Sequence, residues 1–134
     1  MPGTHIRTLM TVRPRTVSVG DTIVDAAKLM RGEDAGIAPV VDGDRLIGVI
    51  TDRDIAVRVI AREKDPATTL VEEIATAGLI TIDPDQNLAE ALRLMTQHHV
   101  RQLPVVEEDG TLVGMVAHDD VARHVDRPLE TISE

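Results

Sequence analysis

The sequence predicts a mixed α/β (α+β) protein built from two copies of one β-α-β-β-α unit. The chain repeats itself: Ile23 and Pro39 return as Leu88 and Pro104, in both cases 65 residues later (88 − 23 and 104 − 39). Each copy also contains a segment with apolar residues three to four apart, the period of a helix. Two β-rich runs joined by a glycine-containing turn follow it. These observations predict two repeats packed about a pseudo-two-fold axis, with clefts between them.

The domain boundaries are expected to follow the repeat. We expect a first repeat at 1–64, a linker at 65–70, a second repeat at 71–126 and a C-terminal tail at 127–134. A unit of about 65 residues buries too little surface to be more than marginally stable alone. The two halves are therefore expected to depend on each other.

Each copy begins with a short amphipathic segment and a short strand. The amphipathic segments lie at 6–10 and 71–75, and the strands at 16–19 and 81–82. A helix follows, and its start is marked by a residue that can accept an orphan backbone N–H and by an acidic residue three positions later. These pairs are Thr22 with Asp25 and Asn87 with Glu90.

A hairpin and a second helix complete each copy. In the first copy the strands are predicted at 37–41 and 45–51, and the helix at 52–62; Asp42-Gly43-Asp44 is typical of the turn between the strands. In the second copy the same elements are predicted at 100–106, 111–116 and 118–125. Pro128 is expected to begin a loose acidic tail.

The composition excludes several classes of function. The net charge is −9, which argues against a nucleic-acid-binding protein because such proteins depend on clustered Lys and Arg. Phe, Trp and Tyr are absent, so no aromatic side chain can stack on a base. Cysteine is absent too, which suits a reducing compartment. With no long apolar run and no signal-peptide pattern, we expect a cytoplasmic protein without a membrane segment.

Four short motifs, each weak alone, occur in a fixed order and largely twice. They are Met10-Thr11, Asp21-Thr22-Ile23-x-x-Ala26, Ala38-Pro39-Val40-Val41-Asp42 and Gly48-Val49-Ile50-Thr51-Asp52-Arg53-Asp54-Ile55. In these motifs the chain resembles a tandem CBS-domain protein (a Bateman module), of the stand-alone two-repeat bacterial type. The resemblance implies a homodimer. It also implies an adenosine compound, such as AMP, ADP, ATP, S-adenosylmethionine or sometimes NAD, in the cleft between the repeats, although some members have no known ligand.

The resemblance also implies a ligand site where the hairpin of the first repeat runs into its second helix. Asp54 would hold the ribose hydroxyls, and Thr51 would add a hydroxyl group near the ribose or phosphate. The remaining implied ligand-binding residues flank the base or meet the phosphates: Thr16, Val17, Gly36, Ile37, Ala38, Arg53 and, from the second repeat, Arg101. Backbone N–H groups and a helix dipole at this junction are expected to favour an anion.

Two alternatives at this site stay open. Thr51 and Asp54 also fit a capping box, which would start a helix with no ligand at all. Arg101 taken alone is also typical of a solvated surface arginine. The sequence does not decide between capping and binding.

The equivalent site of the second repeat looks degraded. Asp120 is kept, but Ala117 replaces the threonine, and the position that matches Arg101 in the other repeat is Gly36. We therefore expect one good site per chain, with Ile82 and Asp120 marking a second, degraded site.

Catalysis and metal binding are not expected. The five histidines lack the spacing of metal ligands, and the chain has neither a nucleophile–base pair nor a P-loop. The main interpretation is a regulatory module that requires no cofactor, binds an adenine nucleotide or related adenosyl ligand and signals through its conformation or an unknown protein partner. The alternative is a dimeric interaction scaffold with vestigial clefts and no metabolite ligand.

Overall fold

The computed structural model describes residues 4–77 and 79–133, with side chains as far as Val125. The chain forms two compact units. Unit 1 combines Met1–Pro14 with Ile80–Glu134, and unit 2 is Arg15–Leu79. Each unit has a three-stranded sheet and helices, so the predicted α+β class is confirmed. The pseudo-two-fold axis stays a prediction.

The elements follow the predicted order. A 3-10 turn at Ile6–Thr8 precedes the first strand, and a π-helix at Ile55–Ile60 follows the second α-helix. The strands and α-helices in chain order are β1 (Thr11–Val12), β2 (Val17–Ser18), α1 (Ile23–Glu33), β3 (Ile37–Asp42), β4 (Arg45–Thr51), α2 (Asp52–Asp54), α3 (Val71–Ile74), α4 (Leu88–His98), β5 (Gln102–Val106), β6 (Leu112–Ala117) and α5 (His118–Ser133).

Unit 2 contains a sheet in the order β2-β3-β4, with β2 parallel and β4 antiparallel to β3. Helix α1 starts at Thr22, whose side chain accepts the N–H of Asp25 while the Asp25 carboxylate accepts the N–H of Thr22, so the predicted cap is confirmed. Apolar side chains of the sheet and helices form one core: Val17, Ile23, Ala26, Leu29, Met30, Ala38, Val40, Ile50, Val59, Val71 and Ile74.

Unit 1 contains a sheet in the order β1-β6-β5. The predicted strand at 81–82 is reduced to a single bridge from Ile82 to Val105, parallel like the β2–β3 pair of unit 2. Asn87 caps α4 by accepting the N–H of Glu90, as predicted. The core of this unit comprises Ile6, Ile82, Leu88, Ala91, Met95, Leu103, Val105, Val116 and Val121.

The compact units cut across the predicted repeat boundaries, because the segment that opens each repeat packs on the sheet of the other. Ile6 is fully buried in the core of unit 1, and α3 contributes to the core of unit 2. Glycines make room for these segments. A Cβ at Gly48 would lie 2.9 Å from the Thr76 carbonyl oxygen, and one at Gly114 would lie 2.6 Å from the Met10 sulfur.

The predicted linker at 65–70 is an integral part of unit 2. Thr69 is buried, and its carbonyl accepts the N–H of Ile23 at 2.9 Å. The carbonyl of Asp21 in turn accepts the N–H of Val71 at 2.8 Å. These bonds fix the entry to α1 and the entry to α3 against each other.

Two helices differ from the prediction. The helix expected at 52–62 begins as α2 and continues as the π-helix, whose β-branched residues fit a regular α-helix less well. Helix α5 continues to Ser133, so the backbone of the expected tail is helical as far as that residue. The apolar spacing of Val121, Val125 and Leu129 suits such a continuation. Across the described residues, no helix is both long and apolar enough to span a membrane.

Candidate functional site

The predicted site of unit 2 lies where β4 ends and α2 begins. Ile37, the first residue of β3, is the register partner of Thr51, the last residue of β4. The N–H of Asp52 donates a hydrogen bond to the Gly36 carbonyl at 2.9 Å. The backbone therefore places the Gly36–Ile37 segment beside the turn that leads to Asp54.

Thr51 and Asp54 form a capping box. The Thr51 N–H donates to Oδ2 of Asp54 at 3.0 Å, and the Asp54 N–H donates to Oγ1 of Thr51 at 3.1 Å. The capping interpretation is thus confirmed as local structure. It does not exhaust either side chain, because Oδ1 of Asp54 has no hydrogen-bond partner within the described part of unit 2 and the Thr51 hydroxyl can still donate its proton.

The expectation that free N–H groups at this junction attract an anion is wrong for this structure. Besides the two N–H groups of the capping box, the Asp52 N–H donates to Gly36, and the Arg53 N–H donates to Oδ1 of Asp52 at 2.8 Å. Four consecutive N–H groups therefore already have acceptors.

The other predicted ligand-binding residues of unit 2 differ in how exposed they are to solvent. The side chains of Val17 and Ala38 belong to the core and are 3% and 0% exposed. Thr16, Gly36 and Arg53 are exposed. Ile37, Thr51 and Asp54 are half-buried. Only the exposed and half-buried residues can present side-chain atoms to a ligand, whereas Val17 and Ala38 shape the sheet beneath them.

Asp52 is a residue of this site that the sequence reasoning missed. A Cβ built on Gly36 would lie 2.8 Å from Oδ2 of Asp52, so the carboxylate sits over the Gly36 backbone. The repeat contained a signal for this contact. The position equivalent to Gly36 is Arg101, 65 residues later (101 − 36), and the position equivalent to Asp52 is His118, 66 residues later (118 − 52). Both members of the contact therefore change together between the repeats.

Arg101 belongs to unit 1 and already has a partner. Its guanidinium contacts the Asp119 carboxylate at 2.7 Å, and its side chain is 73% exposed. A hydrogen bond from His118 and the positive charge of Arg101 lower the pKa of Asp119. The Arg101 carbonyl accepts the His118 N–H at 2.7 Å, the counterpart of the Asp52–Gly36 bond in unit 2.

The degraded site of unit 1 is chemically different from that of unit 2. Oδ1 of Asp120 accepts a hydrogen bond from Arg123 at 2.5 Å. Ala117, the last residue of β6, offers no hydroxyl group to cap the following helix. Ile82 is 3% exposed and packs in the core. A ligand at Asp120 would have to compete with Arg123.

No group of three or more potential metal-ligating side chains lies together in the described ranges. The expectation that the chain has no metal site stays a prediction.

Comparison with known proteins agrees with the internal repeat. The family model of the CBS domain matches the chain twice, at residues 6–61 and 71–127. Hypoxic response protein 1 of Mycobacterium tuberculosis is 37% identical over 123 residues, which span 91% of this chain and 85% of that protein. Its crystal structure, with two coordinated zinc ions, has a TM-score of 0.82 at 38% identity and covers 90% of this chain and 98% of the other.

Two similar structures contain adenosyl ligands. CBSX2 of Arabidopsis thaliana in complex with AMP has a TM-score of 0.80 at 26% identity and covers 93% of this chain and 98% of its own. The CBS domain pair of protein MJ0100, in complex with 5′-methylthioadenosine and S-adenosylmethionine, has a TM-score of 0.81 at 28% identity. It covers 95% of this chain and 99% of its own.

Proposed function

The chain belongs to the CBS-domain family, with two CBS domains in tandem, and on that premise we propose that it is a non-catalytic regulatory module that binds an adenosyl ligand at the Thr51–Asp54 turn of unit 2. The observation that most supports the proposal is the unused acceptor capacity of Asp54 beside a threonine hydroxyl. Similar CBS pairs that bind AMP, S-adenosylmethionine and 5′-methylthioadenosine give the ligand class.

The groups at this turn suit a ribose and a base. Two adjacent ribose hydroxyls are donors, and Oδ1 of Asp54 can accept from both. The Thr51 hydroxyl adds one donor. Ile37 offers a half-buried apolar surface for the base, and Thr16 lies exposed at the start of the neighbouring strand β2. A role of Arg101 in ligand binding stays a prediction.

Signalling is proposed to follow from the double role of Asp54. The same carboxylate caps the helical segment that continues into the π-helix, so a ligand on Asp54 acts directly on the start of that segment. A ligand shifts the conformation only as far as it binds one arrangement better than the other. Hydrogen exchange of the backbone amides of residues 52–60, with and without ligand, would measure the effect of the ligand on that segment.

A homodimer is the proposed assembly. In unit 2, Val57 and Ile60 of the π-helix are 46% and 57% exposed. In unit 1, a groove of about 480 Å³ between α4 and α5 is lined by Leu92 and Val125 among others. Exposed apolar surfaces of this kind are typical of association sites. Sedimentation equilibrium of the wild type and of Ile60→Asp tests this, since a weakened dimer in the variant is expected and an unchanged monomer in both would contradict it.

The ligand is tested by isothermal titration calorimetry of the purified chain against AMP, ADP, ATP and S-adenosylmethionine. We expect a saturable heat with at least one of them, and its loss in Asp54→Ala. Circular dichroism must show that the variant remains folded, because loss of the cap alone destabilises a helix by only about 1 kcal/mol. Flat traces with all four ligands would refute the proposal and favour the interaction scaffold.

A further inference from the structure

The charges and hydrogen bonds around Asp54 indicate which adenosyl ligands the site selects. We propose that it favours adenosyl compounds without a polyphosphate, such as a neutral thioether or a positively charged sulfonium, over adenosine triphosphate, and that Asp52 sets this preference. The inference rests on the proposed function, because it concerns the same site.

Each backbone N–H group of residues 51–54 already has an acceptor, so none of these four is free to hold a phosphate. A phosphate bound at a turn is normally held by backbone N–H groups that have no other acceptor. Here the N–H groups of residues 51–54 all donate within the turn or to Gly36. A phosphate at this position would have to break the capping box or the bond that joins α2 to β3.

The turn carries a local excess of negative charge. Asp52 and Asp54 provide two carboxylates against the single guanidinium of Arg53. Within the part of unit 2 that the structure describes, neither carboxylate forms an ion pair. The whole chain has a net charge of −9, so its field opposes a polyanion as well.

Asp52 is the carboxylate that lies beside the Gly36 backbone. Its Oδ2 atom lies over the Gly36 backbone, next to the half-buried Ile37. An ionised carboxylate only accepts hydrogen bonds, so it can accept from an amino or hydroxyl group of an adenosyl ligand and repels a phosphate. A sulfonium on the 5′ side of the ribose would be attracted by the same carboxylate.

The experiment is equilibrium dialysis of the full chain with S-adenosylmethionine, 5′-methylthioadenosine, AMP and ATP, without magnesium and at low salt. We expect the wild type to bind S-adenosylmethionine and 5′-methylthioadenosine more tightly than ATP. Asp52→Asn should lower the ratio of the S-adenosylmethionine affinity to the ATP affinity about tenfold. The variant removes one charge, while its amide oxygen can still accept the Arg53 N–H. Added salt should lower this affinity ratio more in the wild type than in Asp52→Asn.

Glu63→Gln is the matched control, since it removes one exposed negative charge of unit 2 without touching the turn. Glu63→Gln should leave the ratio of the S-adenosylmethionine affinity to the ATP affinity nearly unchanged. Tighter binding of ATP than of the uncharged thioether, or an equal change in both variants, would overturn the inference while leaving the proposed function intact. Binding of none of the four ligands would refute the proposed function and this inference together.

Discussion

The two units use equivalent positions for different purposes, and the difference lies in how each aspartate is held. In unit 2, Asp54 forms a capping box with Thr51, and its Oδ1 atom has no hydrogen-bond partner among the described residues of that unit. In unit 1, Asp120 accepts a hydrogen bond from Arg123 and follows an alanine. We propose that the aspartate alone does not make a ligand site, and that the neighbouring hydroxyl and the lack of a competing cation matter as much.

The largest effect on stability is expected at the two glycines that admit the exchanged segments. Gly48→Ala should destabilise the protein by about 2 kcal/mol, because the new methyl group meets the Thr76 backbone oxygen. Gly114→Ala should destabilise it less, by about 1 kcal/mol, because the Met10 side chain that it meets first can rotate away and only the Thr11 carbonyl oxygen, at 3.0 Å, must then shift. Urea unfolding followed by circular dichroism measures both. Equal effects would show that the two segments are held with similar rigidity.

A reciprocal exchange of the capping residue sharpens the comparison next. Thr51→Ala removes the acceptor of the Asp54 N–H and should destabilise the protein by about 1 kcal/mol. Ala117→Thr should recover a part of that amount, provided that Asp120 leaves Arg123 to complete a box. Thermal unfolding of the two single variants and of the double variant measures these changes in stability. If Thr51→Ala were silent, the capping box would have no energetic role.

The smallest predicted effect is the pH dependence of the stability that the first-turn carboxylates of α1 and α4, Asp25 and Glu90, contribute. A hydrogen bond from the Thr22 backbone lowers the pKa of Asp25 below 3.8, whereas a hydrogen bond from Arg93 lowers the pKa of Glu90. Both carboxylates therefore add stability above their unfolded-state pKa, and this stability is lost as the pH falls through the folded-state pKa. Asp25→Asn and Glu90→Gln should each lower the melting temperature at pH 7, and this loss should shrink as the pH falls through the folded-state pKa of the carboxylate.

The salt dependence of the melting temperature distinguishes these two carboxylates. The ion pair of Glu90 should weaken in high salt at pH 7, while the bonds of Asp25 to Thr22 should not. An equal salt response in the two variants would contradict the assigned partners.

The sequence predicted what depends on local chemistry and missed what depends on distant contacts. The caps at Thr22, Asn87 and Thr51 were predictable because each involves residues three positions apart. The exchange of the opening segments was not, because an amphipathic piece shows that it needs a partner but not which sheet provides it. The contact of Asp52 with Gly36 was not predictable for the same reason, since only the β3–β4 pairing brings these two residues together.

The central claim is that a chain with two related repeats keeps one adenosyl site, on Asp54. Its most direct test is the calorimetric stoichiometry of the wild type, Asp54→Asn and Asp120→Asn with the tightest ligand. Asparagine at 54 can still accept the Thr51 N–H, so it separates ligand binding from capping. We predict one ligand per chain for the wild type and Asp120→Asn, and at least about tenfold weaker binding for Asp54→Asn. Two ligands per chain of similar affinity, or a loss in Asp120→Asn with Asp54→Asn unaffected, would contradict the claim.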